Sequence, residues 1–275
     1  MSDPTRLTRP HILAVANQKG GVGKTTTCIN LAAALAERGA RVLLVDIDPQ
    51  GNASTGLGIA PESRRLTSYD VIIEQAAVVD VVQPTAVEGL LICPGNSDLA
   101  STDIELVTNE KRSFLLHDAL RSHAIDSLAV DFILIDCPPS LSLLTVNALV
   151  AADAVLIPLQ AEFFALEGLS QLMLTIREVR QTANPGLRVE GVLLTMYDGR
   201  NRLSLQVEAD VRETLGELVF KTIIPRNVRL SEAPSFAKPI LSYDSASRGS
   251  EAYRALAVEV LARHPLDQPK NGAAQ

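Results

Sequence analysis

The chain has 275 residues, 47% hydrophobic and 21% charged, the balance of an ordinary folded protein and not of a disordered or collagen-like one. Its formal charge of −7 argues on its face against a polyanionic partner, and 4% aromatics with no Trp disfavour both base-stacking platforms and membrane aromatic belts. Three scattered cysteines (Cys28, Cys93, Cys137) without a CxxC pair, no apolar leader within residues 1–10 and no apolar run near the roughly 18–20 residues of a membrane span point to a cytoplasmic protein.

In chain order, short apolar runs alternate with longer amphipathic stretches. The runs predicted as strands are 11–17, 41–48, 90–95, 131–136, 153–158, 188–196 and 219–225. Several are β-branched on both faces, as in strands buried on both sides of a parallel sheet. Predicted helices lie at 25–38, about 101–124, 141–151, 165–182, 204–215 and 250–263. This alternation predicts an α/β fold, a doubly wound and mostly parallel sheet with helices on both faces. No linker or repeat interrupts it, so residues 11–263 read as a single domain between a flexible segment at 1–10 and a polar tail at 264–275.

The first strand runs into Gln18-Lys19-Gly20-Gly21-Val22-Gly23-Lys24-Thr25-Thr26-Thr27, followed by a helix. Strand, glycine-rich turn, Lys-Thr and helix is the arrangement that cradles phosphates, because glycines let backbone N–H groups converge on an anion beside the positive end of the helix. Residues Gly20 to Thr26 are the candidate phosphate-binding segment. In that arrangement Lys24 reaches the β- and γ-phosphates, and the Thr25 hydroxyl is a ligand for Mg²⁺. Gln18 stands where the usual GxxxxGK[ST] pattern has its first Gly, and an additional lysine, Lys19, sits five residues before Lys24.

With that departure, KGGVGKTT resembles the deviant phosphate loop of the ParA/MinD class of P-loop ATPases. The resemblance implies that ATP is sandwiched in a homodimer and that Lys19 reaches the partner's nucleotide, supplying charge in trans.

Asp46 and Asp48 close the second strand in VLLVDIDPQGN. Carboxylates at i and i+2 share a face, and they leave the sheet at its carboxyl edge, where ligands of such sheets bind. The resemblance gives Asp48 the attacking water and leaves Asp46 a supporting role; Asp before Pro-Gln-Gly also suits a turn cap. Asp136 ends DFILID, an apolar strand followed by an acid, the pattern that holds Mg²⁺. Cys137-Pro138-Pro139-Ser140-Leu141 then resembles the segment that senses the γ-phosphate. The same class includes an iron protein with intersubunit cluster cysteines, but Cys93 and Cys137 lack that context and read as small buried hydrophobes.

The charge is uneven. Residues 188–254 hold ten Lys/Arg against nine Asp/Glu, leaving −8 on the remainder, and Lys221, Arg226 and Arg229 share an acid-free stretch, VFKTIIPRNVRL. Arg200 and Arg202 lie in YDGRNRLS, Lys238 in FAKPI and Arg248 in YDSASRGSEAY, wording close to the chromosomal ParA (Soj-like) branch. That resemblance implies sequence-independent binding of double-stranded DNA by the ATP-bound dimer through Arg200 and Arg229. Arg226, Lys221 and Lys238 are further candidates. IPRN resembles the loop over the adenine, which makes Pro225 and Asn227 nucleotide candidates and leaves Arg226 open to that role.

A partition ATPase of slow turnover is therefore expected, nucleoid-associated and stimulated by a ParB-type centromere-binding partner. No helix-turn-helix precedes the first strand, against operator reading. No basic amphipathic segment follows the last helix, which counts against the alternative, a MinD-like membrane-associated positioning ATPase.

Overall fold

The computed structural model describes residues 9–162 and 165–266. Residues 1–8 and 267–275 of the expected terminal segments lie outside it. Seven strands form one sheet in the order β3-β4-β2-β5-β1-β6-β7. They are β1 (His11–Val15), β2 (Val42–Asp46), β3 (Gln83–Pro84), β4 (Leu90–Cys93), β5 (Phe132–Asp136), β6 (Ala154–Gln160) and β7 (Arg188–Thr195). Every pairing is parallel except β3 with β4 at the edge. Every residue of β2 and β5 is buried, which explains their unbroken apolar reading.

Five long helices cover the sheet: α1 (Lys24–Glu37), α2 (Leu143–Ala151), α3 (Ala165–Thr182), α4 (Arg202–Leu215) and α5 (Arg248–Arg263). One face packs Leu31 and Leu35 of α1 with Tyr253 and Leu256 of α5 against Leu13, Leu44 and Leu134. The other packs Leu144 and Leu149 of α2, Leu172 and Ile176 of α3 and Val211 of α4 against Ile12, Leu43 and Ile133. Each such side chain, taken fully out of water, contributes roughly 1.5–3 kcal/mol. Alternation along each strand thus feeds two cores, one per face.

Two expected elements differ. The helix expected over about 101–124 is broken into Thr102–Glu105 and Leu115–Leu120. Between them the Asn109 side chain accepts from Lys111 N at 2.8 Å, and Asn147 of α2 donates to Arg112 O at 2.8 Å, so side chains capture backbone groups that a continuous helix would use. The strand expected at 219–225 only bridges β7, at Val192↔Val219 and Tyr197↔Pro225. Phe220 N and Ile224 N bond the β7 carbonyls of Val192 and Leu194, but between them the Thr222 N–H goes to Glu259 of α5 at 2.6 Å, so a regular ladder does not form.

Candidate nucleotide site

The carboxyl ends of β1, β2 and β5 converge beside the phosphate loop. Val15 and Asp46 are both register partners of Asp136, which sets the last residues of three neighbouring strands in a row. The chain turns from β1 into α1 through Gly21 (φ 75°) and Gly23 (φ 88°), left-handed values that a side chain would strain. The loop is tied down on several sides. Asn17 Oδ1 accepts from Lys19 N at 3.0 Å while its Nδ2 donates to Pro158 O at 2.7 Å. Thr195, the last residue of β7, donates to Val22 O at 2.8 Å. A Cβ on Gly20 would lie 3.8 Å from that of Pro139, so the segment after β5 borders the loop.

Lys24 is buried, and its Nζ donates to Lys19 O at 2.9 Å, closing the loop on itself. Burial lowers its pKa, while Asp136, Cys137 and Asp48 pull the other way. Thr25 and Thr26 open α1 without a side-chain cap, which leaves the N-terminal turn suited to accepting an anion. Lys19 is partly exposed and forms an ion pair with Glu162.

The three aspartates differ in what holds them. Asp46 is fully buried; Ser54 donates to its Oδ2 from Oγ at 2.6 Å and from N at 2.9 Å, and Asp48 N approaches Oδ1 at 3.2 Å. Ser68 adds a bond to its carbonyl at 2.5 Å. Burial raises the Asp46 pKa to about 6, with those hydrogen bonds opposing the shift. The backbone at Gly95 passes so close that a Cβ there would sit 2.7 Å from Asp46 O. Asp48 is buried at the following turn and accepts from Gln50 N at 2.9 Å, so it caps that turn while its charge acts on Lys24 and Asp136.

Asp136 is fully buried, and neither carboxylate oxygen has a hydrogen-bond partner. Thr25 and Cys28 face it without meeting hydrogen-bond geometry. Burial and the neighbouring Asp46 raise its pKa well above the usual carboxylate range. A buried carboxylate with no partner is costly unless a cation joins it. Hard oxygen donors at Asp136 and the Thr25 hydroxyl fit Mg²⁺. The cysteines are all buried, with burial pushing each thiol upward, so they are inert in this state.

The remaining candidates lie along the carboxyl-terminal third. Pro225 bridges Tyr197 just beyond β7 on the loop's side of the sheet, and Arg226 N donates to Tyr197 O at 2.9 Å. Asn227 Oδ1 caps the short helix Val228–Glu232 by accepting from Arg229 N at 2.9 Å. Arg200 is exposed in the turn before α4 and forks onto Asp198 at 2.9 and 2.8 Å. That pairing draws the Asp198 pKa down to about 2. Arg229 is exposed but paired with Glu232 at 2.9 Å and Asp244 at 3.5 Å. Lys238 is exposed and shares a cavity with Thr25, Thr26 and Asn52. Lys221 is exposed beside α5, where Glu259 takes its backbone. Acids stand beside both arginines expected to lead the set.

Ser54, Gly95 and Thr195 shape the site without having been singled out in the sequence, whereas Pro139 belongs to the segment after Asp136 that the sequence did mark. Ser54 and Thr195 are ordinary residues placed by long-range contacts.

A family profile described as an AAA domain matches residues 10–189. The chain is 57% identical over 259 residues to the chromosome partitioning protein ParA of Caulobacter vibrioides, covering 94% of this chain and 97% of that one. It is 53% identical over 251 residues to the sporulation initiation inhibitor protein Soj of Bacillus subtilis, covering 91% and 98%. Among solved structures, a Mycobacterium smegmatis protein described as cobyrinic acid a,c-diamide synthase, with bound ADP and magnesium, superposes with a TM-score of 0.79 at 39% identity, covering 93% of this chain and 95% of that one. The cell division ATPase MinD of Pyrococcus furiosus superposes at 0.74 with 28% identity, covering 92% and 99%.

Proposed function

We propose that this chain, which belongs to the ParA/Soj family of chromosome-partitioning ATPases, binds ATP with Mg²⁺, pairs into a sandwich dimer that holds double-stranded DNA without sequence preference, and releases it on hydrolysis. The observation that carries the reading is Asp136, a fully buried carboxylate without a hydrogen-bond partner beside a phosphate-type loop.

The loop amides from Gly20 to Thr26 and the Lys24 ammonium bind the phosphates. Lys24 would exchange its bond to the Lys19 carbonyl for them. Asp136 and Thr25 hold the Mg²⁺, which when bound neutralises phosphate charge. Asp48 orients the attacking water, while Asp46 keeps the loop geometry through Ser54. Pro225 and Asn227 border the base. Lys19 leaves Glu162 and completes the partner's site. Little covalent chemistry is asked of these groups; positioning and electrostatics lower the barrier.

DNA contact falls to Arg200 and Arg229, with Arg226, Lys221 and Lys238 as secondary candidates. A few phosphate contacts per subunit give weak attachment, and doubling them in a dimer strengthens it steeply. The acids beside both arginines keep the monomer's hold weak. A ParB-type partner that stimulates hydrolysis fits this cycle, as does a nucleoid-associated location. No described helix is long and apolar enough to cross a membrane.

The test is binding to non-specific duplex DNA across salt concentration, with ATP, ADP or no nucleotide. Salt-sensitive binding confined to the ATP state is expected; equal binding in all three states would refute the cycle.

A further inference from the structure

The geometry points to a second cation site, at the opposite edge of the sheet, that takes a borderline transition metal such as Zn²⁺ on His11, Glu190 and His264. These residues are the first of β1, the third of β7 and the residue that caps the end of α5. β1 runs from His11 toward the phosphate loop, so the cluster lies at the amino ends of the strands, away from the nucleotide. One ligand atom from each residue lies within 4.8 Å of the other two. Two imidazole nitrogens and a carboxylate oxygen make up a three-ligand zinc set, with the fourth position left to water.

Two of the three ligands are faced by groups outside the trio, Asp153 at His11 and Arg263 at Glu190. Asp153 accepts from Ile12 N at 2.8 Å and from Arg121 Nη2 at 2.5 Å, which fixes its Oδ2 3.8 Å from His11 Nδ1. A proton on Nδ1 facing that carboxylate leaves Nε2 with the lone pair, and Nε2 is buried without a hydrogen-bond partner. Metal-bound histidines use this carboxylate-backed tautomer. Arg263 reaches Glu190 Oε1 at 3.3 Å, while Oε2 pairs with His264 Nε2 at 2.9 Å. The His11 and His264 rings stack with centroids 3.7 Å apart. A network confined to His264, Glu190 and Arg263 accounts for the carboxylate but leaves His11 Nε2 unexplained; a cation accounts for both.

Binding would displace the proton between His264 and Glu190 and turn the two rings from their stack toward a common centre. The ion would tie the end of α5 to β1 and β7, so it stabilises the folded chain by mass action. The cluster opens onto a surface cleft that also includes Arg188 and Leu218, which gives an ion a way in.

The experiment uses untagged full-length protein with Mg²⁺ in excess to occupy the nucleotide site. Zn²⁺ is titrated by calorimetry and Co²⁺ by visible absorbance. One Zn²⁺ per chain, a tetrahedral Co²⁺ band and a higher thermal midpoint with Zn²⁺ are expected. His11→Ala and His264→Gln should each weaken binding at least about tenfold. Gln retains a donor for Glu190, and circular dichroism reports whether each variant is folded. His123→Ala, which alters an exposed histidine outside the cluster, should leave binding unchanged. Stoichiometric Zn²⁺ binding that survives both cluster substitutions overturns the site, as does failure of the folded wild type to bind Zn²⁺ at submillimolar concentration.

Discussion

Asp46 and Asp136 are register partners at the carboxyl ends of adjacent parallel strands, yet their surroundings are opposite. Asp46 takes two bonds from Ser54, whereas Asp136 has no hydrogen-bond partner. One carboxylate holds the turn after β2 in place, and the other lies beside the phosphate loop without a hydrogen-bond partner.

Asp136→Asn should therefore abolish Mg²⁺-dependent nucleotide binding while leaving the nucleotide-free protein as stable as the wild type or up to about 2 kcal/mol more stable, because a buried carboxyl group without a hydrogen-bond partner is replaced by a neutral amide. Asp46→Ala should instead cost about 1–3 kcal/mol by stranding Ser54. Denaturant midpoints of the two variants check the contrast, and matching losses would contradict it.

Lys19→Ala should change stability by less than about 1 kcal/mol, since its pair with Glu162 is partly exposed at both ends. Nucleotide binding should persist while ATP-dependent dimers disappear in light scattering. Dimers of normal strength would rule out the role in trans.

Asp48→Ala should lower ATP turnover at least about a hundredfold, yet retain ATP-dependent dimers and DNA binding. Loss of nucleotide binding as well would return Asp48 to a purely structural role, since its carboxylate also caps the turn at Gln50.

Arg229→Glu should abolish DNA retention without disturbing the ATP dimer. Arg200→Ala and Arg229→Ala should each flatten the slope of log K against log salt by about one for every phosphate that the arginine neutralises. An unchanged slope would remove that arginine from the DNA-facing set.

Arg200→Ala should also raise the pKa of Asp198 from about 2 toward the ordinary 3.8, as read by carboxyl NMR titration. The guanidinium favours the ionised acid, so the benefit of the pairing is present above the ordinary carboxylate range and is lost as pH falls through about 2. Asp198 is ionised at neutral pH with or without Arg200, so DNA affinity there should answer to salt and not to small pH changes.

The local sequence determined the sheet, the phosphate loop, the two aspartates after β2 and the acid after β5, because burial on both faces, glycine at positive φ and helix-terminus chemistry are written within a few residues. The family resemblance singled out Arg200 and Arg229 and left their acid partners unmarked. Tertiary structure alone decided which aspartate is satisfied and which is orphaned. Ser54 and Thr195 become part of the site only once the strands are in register. Glu259, far along the chain, decided that residues 219–225 do not complete a strand, by taking the Thr222 N–H that lies between the two bonded to β7. The His11, Glu190 and His264 cluster is likewise invisible in spacing, since it exists only where the two ends of the chain and β7 meet.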